Sequence, residues 1–224
     1  MSKSRAPRNT LDRQSIVDAA RGLLDAEGLE ALTMRKLADT FGVRPMALYH
    51  HFRNKDELLN SVVESVFGEI YLPEPSGDWR AELAARSRSM REVLTAHPWA
   101  LPFMETRTNP GPVQLKHHEA TLETMRRSGF SVRAAAHGYA ILDAFVYGFI
   151  LQETLLGSIG LDSDPQQLAA GMELSSRPRL AEMVQLYLEG SGFRFSDSFE
   201  VGLRLTLDGL GGLRGKDNLG SALD

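Results

Sequence analysis

Between Leu32 and Leu59 the chain reads LTMRKLADTFGVRPMALYHHFRNKDELL, two short helical patterns around a tight turn, followed by a polar elbow. Few local structures accept such a segment other than two helices crossing at a steep angle. Thr33 can cap the free amides of a first helix, whose apolar residues Met34, Leu37, Ala38 and Phe41 recur at spacings of three and four. Gly42 stops that helix and permits a sharp turn, while Val43 can fill the angle between the two. Pro45 stands at the start of a second helix, Pro45 to His51, where a missing amide costs nothing. In it Leu48 and Phe52 are expected to face inward, leaving Arg44, Met46, Ala47, Tyr49, His50 and His51 outward. Small and apolar side chains beside Tyr and two His solvate poorly and suit a groove of nucleic acid. The alternative, a hairpin that only packs, would normally present Glu and Lys on that face.

The flanks extend this head. From Leu11 to Glu27 a helix is expected with Ile16, Val17, Ala20, Leu23 and Leu24 on one face and Gly28 at its end, the third wall of a three-helix head over 10–54. Residues 1–9 form a basic flexible arm carrying Lys3, Arg5 and Arg8, either a solubilising tail or a DNA-touching one. Asn54 and Glu57 have capping spacing, so a linker helix occupies 55–72, running from about Lys55 to Ile70 and stopping before Pro73. The PEPSGD segment, Pro73 to Asp78, is the clearest domain boundary.

Beyond it the patterns stay helical. They run from Trp79 to Ala96, through a broken stretch containing Trp99 and Met104, from Val113 to Ser128, from a Ser131 cap to about Leu156, and from a Ser196 cap over Asp197 to Leu210. No strand-like alternation competes, so the expectation is all-α: a helix-turn-helix head, a helical C-terminal domain over 73–214, and a disordered tail over 215–224.

Charge and composition narrow the class. The net charge of −4 divides unevenly: the first 60 residues hold ten Lys or Arg against eight acids, or +2, which leaves −6 for the other 164. Binding depends on the local field at the phosphates, so a mildly basic head on an acidic body is compatible with DNA. With no cysteine, disulfides and thiolate zinc sites are excluded. No apolar run reads as long enough to span a bilayer, and the N-terminus lacks the apolar core of a signal peptide, so a soluble cytoplasmic protein is expected.

Residue by residue, Thr33, Arg35, Leu37, Ala38, Gly42-Val43, Leu48-Tyr49-His50-His51-Phe52 and Asn54-Lys55-Asp56-Glu57-Leu58-Leu59 resemble the signature of the tetracycline-repressor (TetR) family of regulators. His97-Pro98-Trp99, the run Leu122 to Phe130, the helix HGYAILDAFVYGFILQE and the terminal FEVGLRLTLDGL resemble, more loosely, the C-terminal domain of its tetracycline-repressor subgroup. Head and body together cover roughly residues 10–212. The resemblance implies a repressor that binds a palindromic double-stranded operator as a homodimer and is released by a small-molecule effector, with no enzymatic activity. It also implies a phosphate-contacting set of Thr33, Tyr49, His50, His51 and Lys55. Base contacts are expected from Arg35, Arg44, Met46 and Ala47, with the helix that Pro45 opens in the major groove, since Arg can take guanine bidentately and methyls can meet thymine.

The body offers a candidate effector lining of Trp99, Phe103, Met104, Met125, Phe149 and Gln152, drawn from a Met- and aromatic-rich set that also includes Met90 and Phe145. Such a lining suits a largely apolar ligand. In the tetracycline repressors a histidine and a glutamate help to hold a metal-bound drug; those positions fall near Phe103 and Gln152, so no metal and no cofactor are expected, although Glu153 is adjacent. His117, His118, Glu119 and Glu123 lack the His spacing of a zincin. Asp143, inside ILDAFVYGFI, must be paired, with an Arg, an amide or a ligand. Dimerisation is expected on the long helix and the last one, where Ala136, Gly138, Ala140, Ala144, Gly148 and Gly202 permit close approach, and Val201, Leu203, Leu205, Leu207 and Leu210 are too many for one stripe. The rival readings are a helical-bundle enzyme with an incidental helix-turn-helix, for which no nucleophile-base set is assignable, and an architectural DNA binder without an effector.

Overall fold

A computed structural model describes residues 11–106, 110–158, 165–189 and 194–215; the arm 1–9 and positions 216–224 of the tail lie outside the described residues. The described elements are helical, with no strand among them. They form two compact units, one of residues up to Tyr71 together with Glu92–His118, the other of Leu72–Arg91 and residues from Glu119 onward.

In the first unit, α1 (Arg13–Glu27) starts two residues later than its apolar pattern suggests, because Asp12 takes the cap, accepting from Ser15 N at 2.8 Å. Ile16, Val17, Ala20 and Leu24 form its buried face, while Leu23 stays half-buried. Helix α2 (Met34–Phe41) is capped by Thr33 Oγ1, which accepts from Lys36 N at 3.1 Å. It ends at Gly42, whose φ of 65° and ψ of 29° lie where a side chain would be strained.

The expected second helix, Pro45 to His51, is instead a 3-10 segment over Pro45–His50. Six residues after a proline close i→i+3 bonds, Ala47 N to Arg44 O at 2.9 Å and His51 N to Leu48 O at 3.0 Å, more readily than they fill an α-helical ladder. Leu48 and Phe52 point inward as expected, 0% and 1% exposed. Helix α3 (Lys55–Phe67) is capped by Asn54, which accepts from Glu57 N at 2.8 Å. It stops at Gly68, short of Ile70, which is reached through a turn and is still buried.

Helix α4 (Trp79–Ala96) runs as expected and closes at His97. A 3-10 turn (Pro98–Ala100) and short α5 (Leu101–Thr106) follow, then α6 (Pro112–Arg127). Within the first unit, two carboxylates hold this stretch. Asp25 on α1 accepts from Trp99 Nε1 at 2.6 Å and meets His97 Nδ1 at 2.6 Å; Glu64 on α3 accepts from Val113 N at 2.8 Å.

In the second unit, α7 (Val132–Ser158) packs against α10 (Ser198–Gly211). The last helix is not capped by Ser196: a 3-10 turn (Phe195–Asp197) precedes it, in which Asp197 accepts from Arg194 N at 3.0 Å. Two further helices, α8 (Pro165–Ala170) and α9 (Pro178–Leu188), have no counterpart in the sequence reading. Each begins on a proline, and α8 is too short to show a period.

Helix α7 also corrects the expectation that no segment could span a bilayer: by length and composition it qualifies. Its two carboxylates are engaged inside the unit, however. Asp143 accepts from Nη1 and Nη2 of Arg86 on α4, at 2.7 and 3.5 Å, and Glu153 pairs with Arg91, so α7 reads as a helix packed within the unit. Gly138 and Gly202, expected at a dimer seam, serve the chain's own packing. A Cβ on Gly138 would meet Met125 at 3.2 Å, and one on Gly202 would fall 2.5 Å from the Phe145 ring. The remaining small residues of the set, Ala136, Ala140 and Ala144, are exposed and Gly148 is half-buried.

The Arg86 side chain is only 5% exposed. Asp143→Ala should therefore cost about 3–5 kcal/mol in urea unfolding, since it strands a buried charge, whereas replacing both partners by apolar residues should cost far less.

Candidate nucleic-acid interface

Three buried anchors present the recognition segment. Leu37, Leu48 and Phe52 are withdrawn from water, which turns the other side of Pro45–His50 outward. There Met46 is 68% exposed and Tyr49 43%, side by side with the exposed Arg44 and His50. Thr33, Arg35, Arg44 and His50 are exposed with them, while Pro45, Ala47, His51 and Lys55 are half-buried. The first unit thus brings every sequence-predicted DNA residue onto α2, the 3-10 segment and the start of α3.

The basic residues of this unit divide into two sets. Arg13 pairs with Glu57, Arg21 with Glu69 and Lys36 with Glu27. Among the described residues no ion pair or hydrogen bond engages the side chains of Arg35, Arg44 or Lys55. Arg53 and, on α6, Lys116 likewise lack an ion pair, and the exposed Asp39 and Asp56 stand unpaired on α2 and α3 beside Arg35 and Lys55, so what distinguishes Arg35, Arg44 and Lys55 is that they share the elements that expose Met46 and Tyr49.

Sequence reading missed the cement of this surface. Glu57 accepts from Arg53 N at 2.8 Å and from Arg13 Nη2 at 3.1 Å; these bonds hold its carboxyl below the usual range, the backbone N–H of Arg53 contributing most. Asp12 is likewise held low, chiefly by the Ser15 N–H. Arg13 reaches 38 to 48 residues along the chain, a separation to which helical periodicity is blind.

The candidate effector residues are distributed over both units. Trp99 and Phe103 belong to the first, Trp99 buried with its Nε1 on Asp25 and Phe103 half-buried. The Met104 side chain lies outside the described residues. Met125 and Phe149 belong to the second and are buried; Phe149 stacks on Phe195 at 4.7 Å and meets Phe199 edge-on at 5.2 Å. Gln152 is exposed, and its neighbour Glu153 is committed to Arg91, whose guanidinium lies 4.7 Å over Phe199. Of the four residues weighed as metal ligands, His117 is buried, His118 half-buried, Glu119 exposed, and Glu123 pairs with Arg127 at 2.7 Å; the described residues contain no cluster of three metal-ligating side chains.

Residues 16–62 match the family described as bacterial regulatory proteins, tetR family, and residues 72–213 match the tetracyclin repressor-like C-terminal domain. An HTH-type transcriptional regulator of Saccharopolyspora erythraea is 35% identical over 154 residues, which cover 68% of this chain and 61% of that protein, so the match spans under two thirds of its length. The class A tetracycline repressor protein from transposon 1721 of Escherichia coli is 31% identical over 89% of this chain and 90% of its own. Among solved structures, the TetR family protein ActR of Streptomyces coelicolor in complex with actinorhodin superposes with a TM-score of 0.72, at 30% identity, covering 92% of this chain and 99% of that one. These likenesses establish that the chain belongs to the TetR family of transcriptional regulators.

Proposed function

We propose that the protein is a repressor that binds a palindromic operator as a homodimer and is released from it by a small-molecule effector, acting by binding and not by catalysis, in the cytoplasm. The observation that carries this reading is that Arg35, Arg44 and Lys55 carry no ion pair among the described residues and stand on the elements that expose Met46 and Tyr49. Arg35, Arg44, Met46 and Ala47 are assigned to base edges; Thr33, Tyr49, His50, His51 and Lys55 to phosphates, with Pro45 opening the segment. Two such segments must sit roughly 34–36 Å apart to read successive major grooves.

A second copy of the chain is supported by α7 and α10. Ile141, Leu151, Leu155, Val201 and Leu205 are exposed, Leu205 to 64%, beside the open Ala136, Ala140 and Ala144. That apolar face is what a four-helix dimer bundle would cover.

ActR has been solved with actinorhodin bound, which supports a small-molecule effector here. The turn at His97–Trp99 and the start of α6 at Val113 are suited to transmit such a signal, since Asp25 of α1 holds the first and Glu64 of α3 the second. An effector that shifts this stretch, through contacts at Trp99, Phe103 or Met104, would carry α1 and α3 with it and change the head spacing. The functional division we propose is a head over 10–54, a linker helix over 55–72 and an effector and dimerisation domain over 73–214.

On a duplex selected by the protein from a random library, Arg44→Ala should cost about 1–3 kcal/mol, and much less on scrambled DNA. Equal losses on the two duplexes would remove Arg44 from the base contacts. Lys55→Ala should weaken both alike and lower the slope of log K against log salt by about one unit. In sedimentation, Leu205→Glu should leave a folded monomer, because that side chain is already in water within one chain; a persistent dimer would move the interface elsewhere.

A further inference from the structure

We propose that Arg13, which lies outside the base and phosphate assignments, is the positioning residue that fixes the recognition segment to the start of the linker helix. The inference rests on the reading that Pro45–His50 enters DNA. Arg13 sits in the first turn of α1, yet its side chain makes four contacts with residues 51–61. Nη1 donates to His51 O at 2.6 Å; Nη2 donates to Glu57 Oε1 at 3.1 Å and to Ser61 Oγ at 3.0 Å; Cζ lies 4.1 Å from the centroid of the Phe52 ring.

Each contact has a physical consequence. His51 follows the last residue of the 3-10 segment, so a cation on its carbonyl satisfies the end of an element with few bonds of its own. Glu57 uses its other oxygen to accept from Arg53 N at 2.8 Å, so one guanidinium and one carboxylate staple the whole elbow from His51 to Glu57. Ser61 extends the grip one turn along α3, and the guanidinium plane covers Phe52, the anchor beneath the segment. The geometry needs a fork and a flat face, which Arg has and Lys lacks. Half the Arg13 side chain remains exposed, but its donors are directed into the protein, unlike those of Arg35 and Arg44. A shift of α3 is therefore transmitted through Arg13 to His51 and the residues that read DNA.

The test uses full-length protein, a palindromic duplex it selects from a random library, and a scrambled duplex, with affinity measured at several salt concentrations. Arg13→Gln and Glu57→Gln should each weaken the selected duplex about tenfold, with little effect on scrambled DNA, and the double variant should be no worse than the poorer single, as expected for one coupled unit. The salt slope of Arg13→Gln should equal that of the parent, because no phosphate contact is lost. A slope lowered by about one unit, together with tighter binding by Glu57→Gln, would make Arg13 a phosphate ligand restrained by Glu57 and overturn the proposal. Unchanged affinity in Arg13→Gln would overturn it as well. Should Arg13→Gln melt the head, Arg13→Lys decides, since it keeps the charge and loses the fork: parental affinity contradicts the proposal, and a selective loss on the chosen duplex supports it. A parent protein that selects no duplex at all would instead refute the DNA reading on which the inference stands.

Discussion

The burial of Leu48 and Phe52 is the constraint on which the head depends. A six-residue 3-10 segment has no cooperative stability of its own, so its orientation has to come from what it packs on. Two fully withdrawn side chains contribute roughly 1.5–3 kcal/mol each on area grounds, enough to hold a turn that hydrogen bonds alone would not. Because both lie on one side, Met46 and Tyr49 are forced into water. Exposure of the reading face is thus a by-product of where the anchors sit.

Charge is arranged around that constraint in a complementary way. Inside the first unit five carboxylates are structural: Glu57 and Glu64 secure backbone amides, Asp25 takes the Trp99 and His97 ring nitrogens, and Glu27 and Glu69 pair with Lys36 and Arg21. The cations near the recognition segment that lack such partners are left for another molecule. The overall negative charge of the chain is therefore no obstacle to DNA, since what a phosphate meets is the local surface.

The second unit meets a different demand, that of keeping a long apolar helix ordered. Arg86 with Asp143 and Arg91 with Glu153 tie α4 to α7 at two heights, and the desolvation cost of partly buried ions offsets much of their mutual attraction. Phe145, Phe149, Phe195 and Phe199 fill the space below Arg91, and Gly202 allows α10 to close on Phe145. Of the glycines that looked suited to a dimer seam, Gly138 and Gly202 are taken up by the chain's own packing, which leaves Gly148, the exposed alanines and Leu205 on the outer face.

What the sequence by itself determined was local. Thr33 and Asn54 name helix starts, Gly42 a stop, and the spacing of Met34, Leu37 and Ala38 a buried face, because capping and amphipathic period act over three or four residues. The outward set on the recognition segment was legible for the same reason. The 3-10 winding of that segment, the Asp12 cap, the turn before α10 and the short α8 were not, since pattern does not distinguish an α from a 3-10 turn over six residues. Only the tertiary structure decided that Arg13 staples His51 to Glu57, that Asp143 meets Arg86, and that Gly138 and Gly202 face the chain's own helices. Those choices join residues 13 to 57 positions apart, beyond the reach of a helical repeat, and such side chains are matched by packing and desolvation, quantities that no short-range pattern encodes.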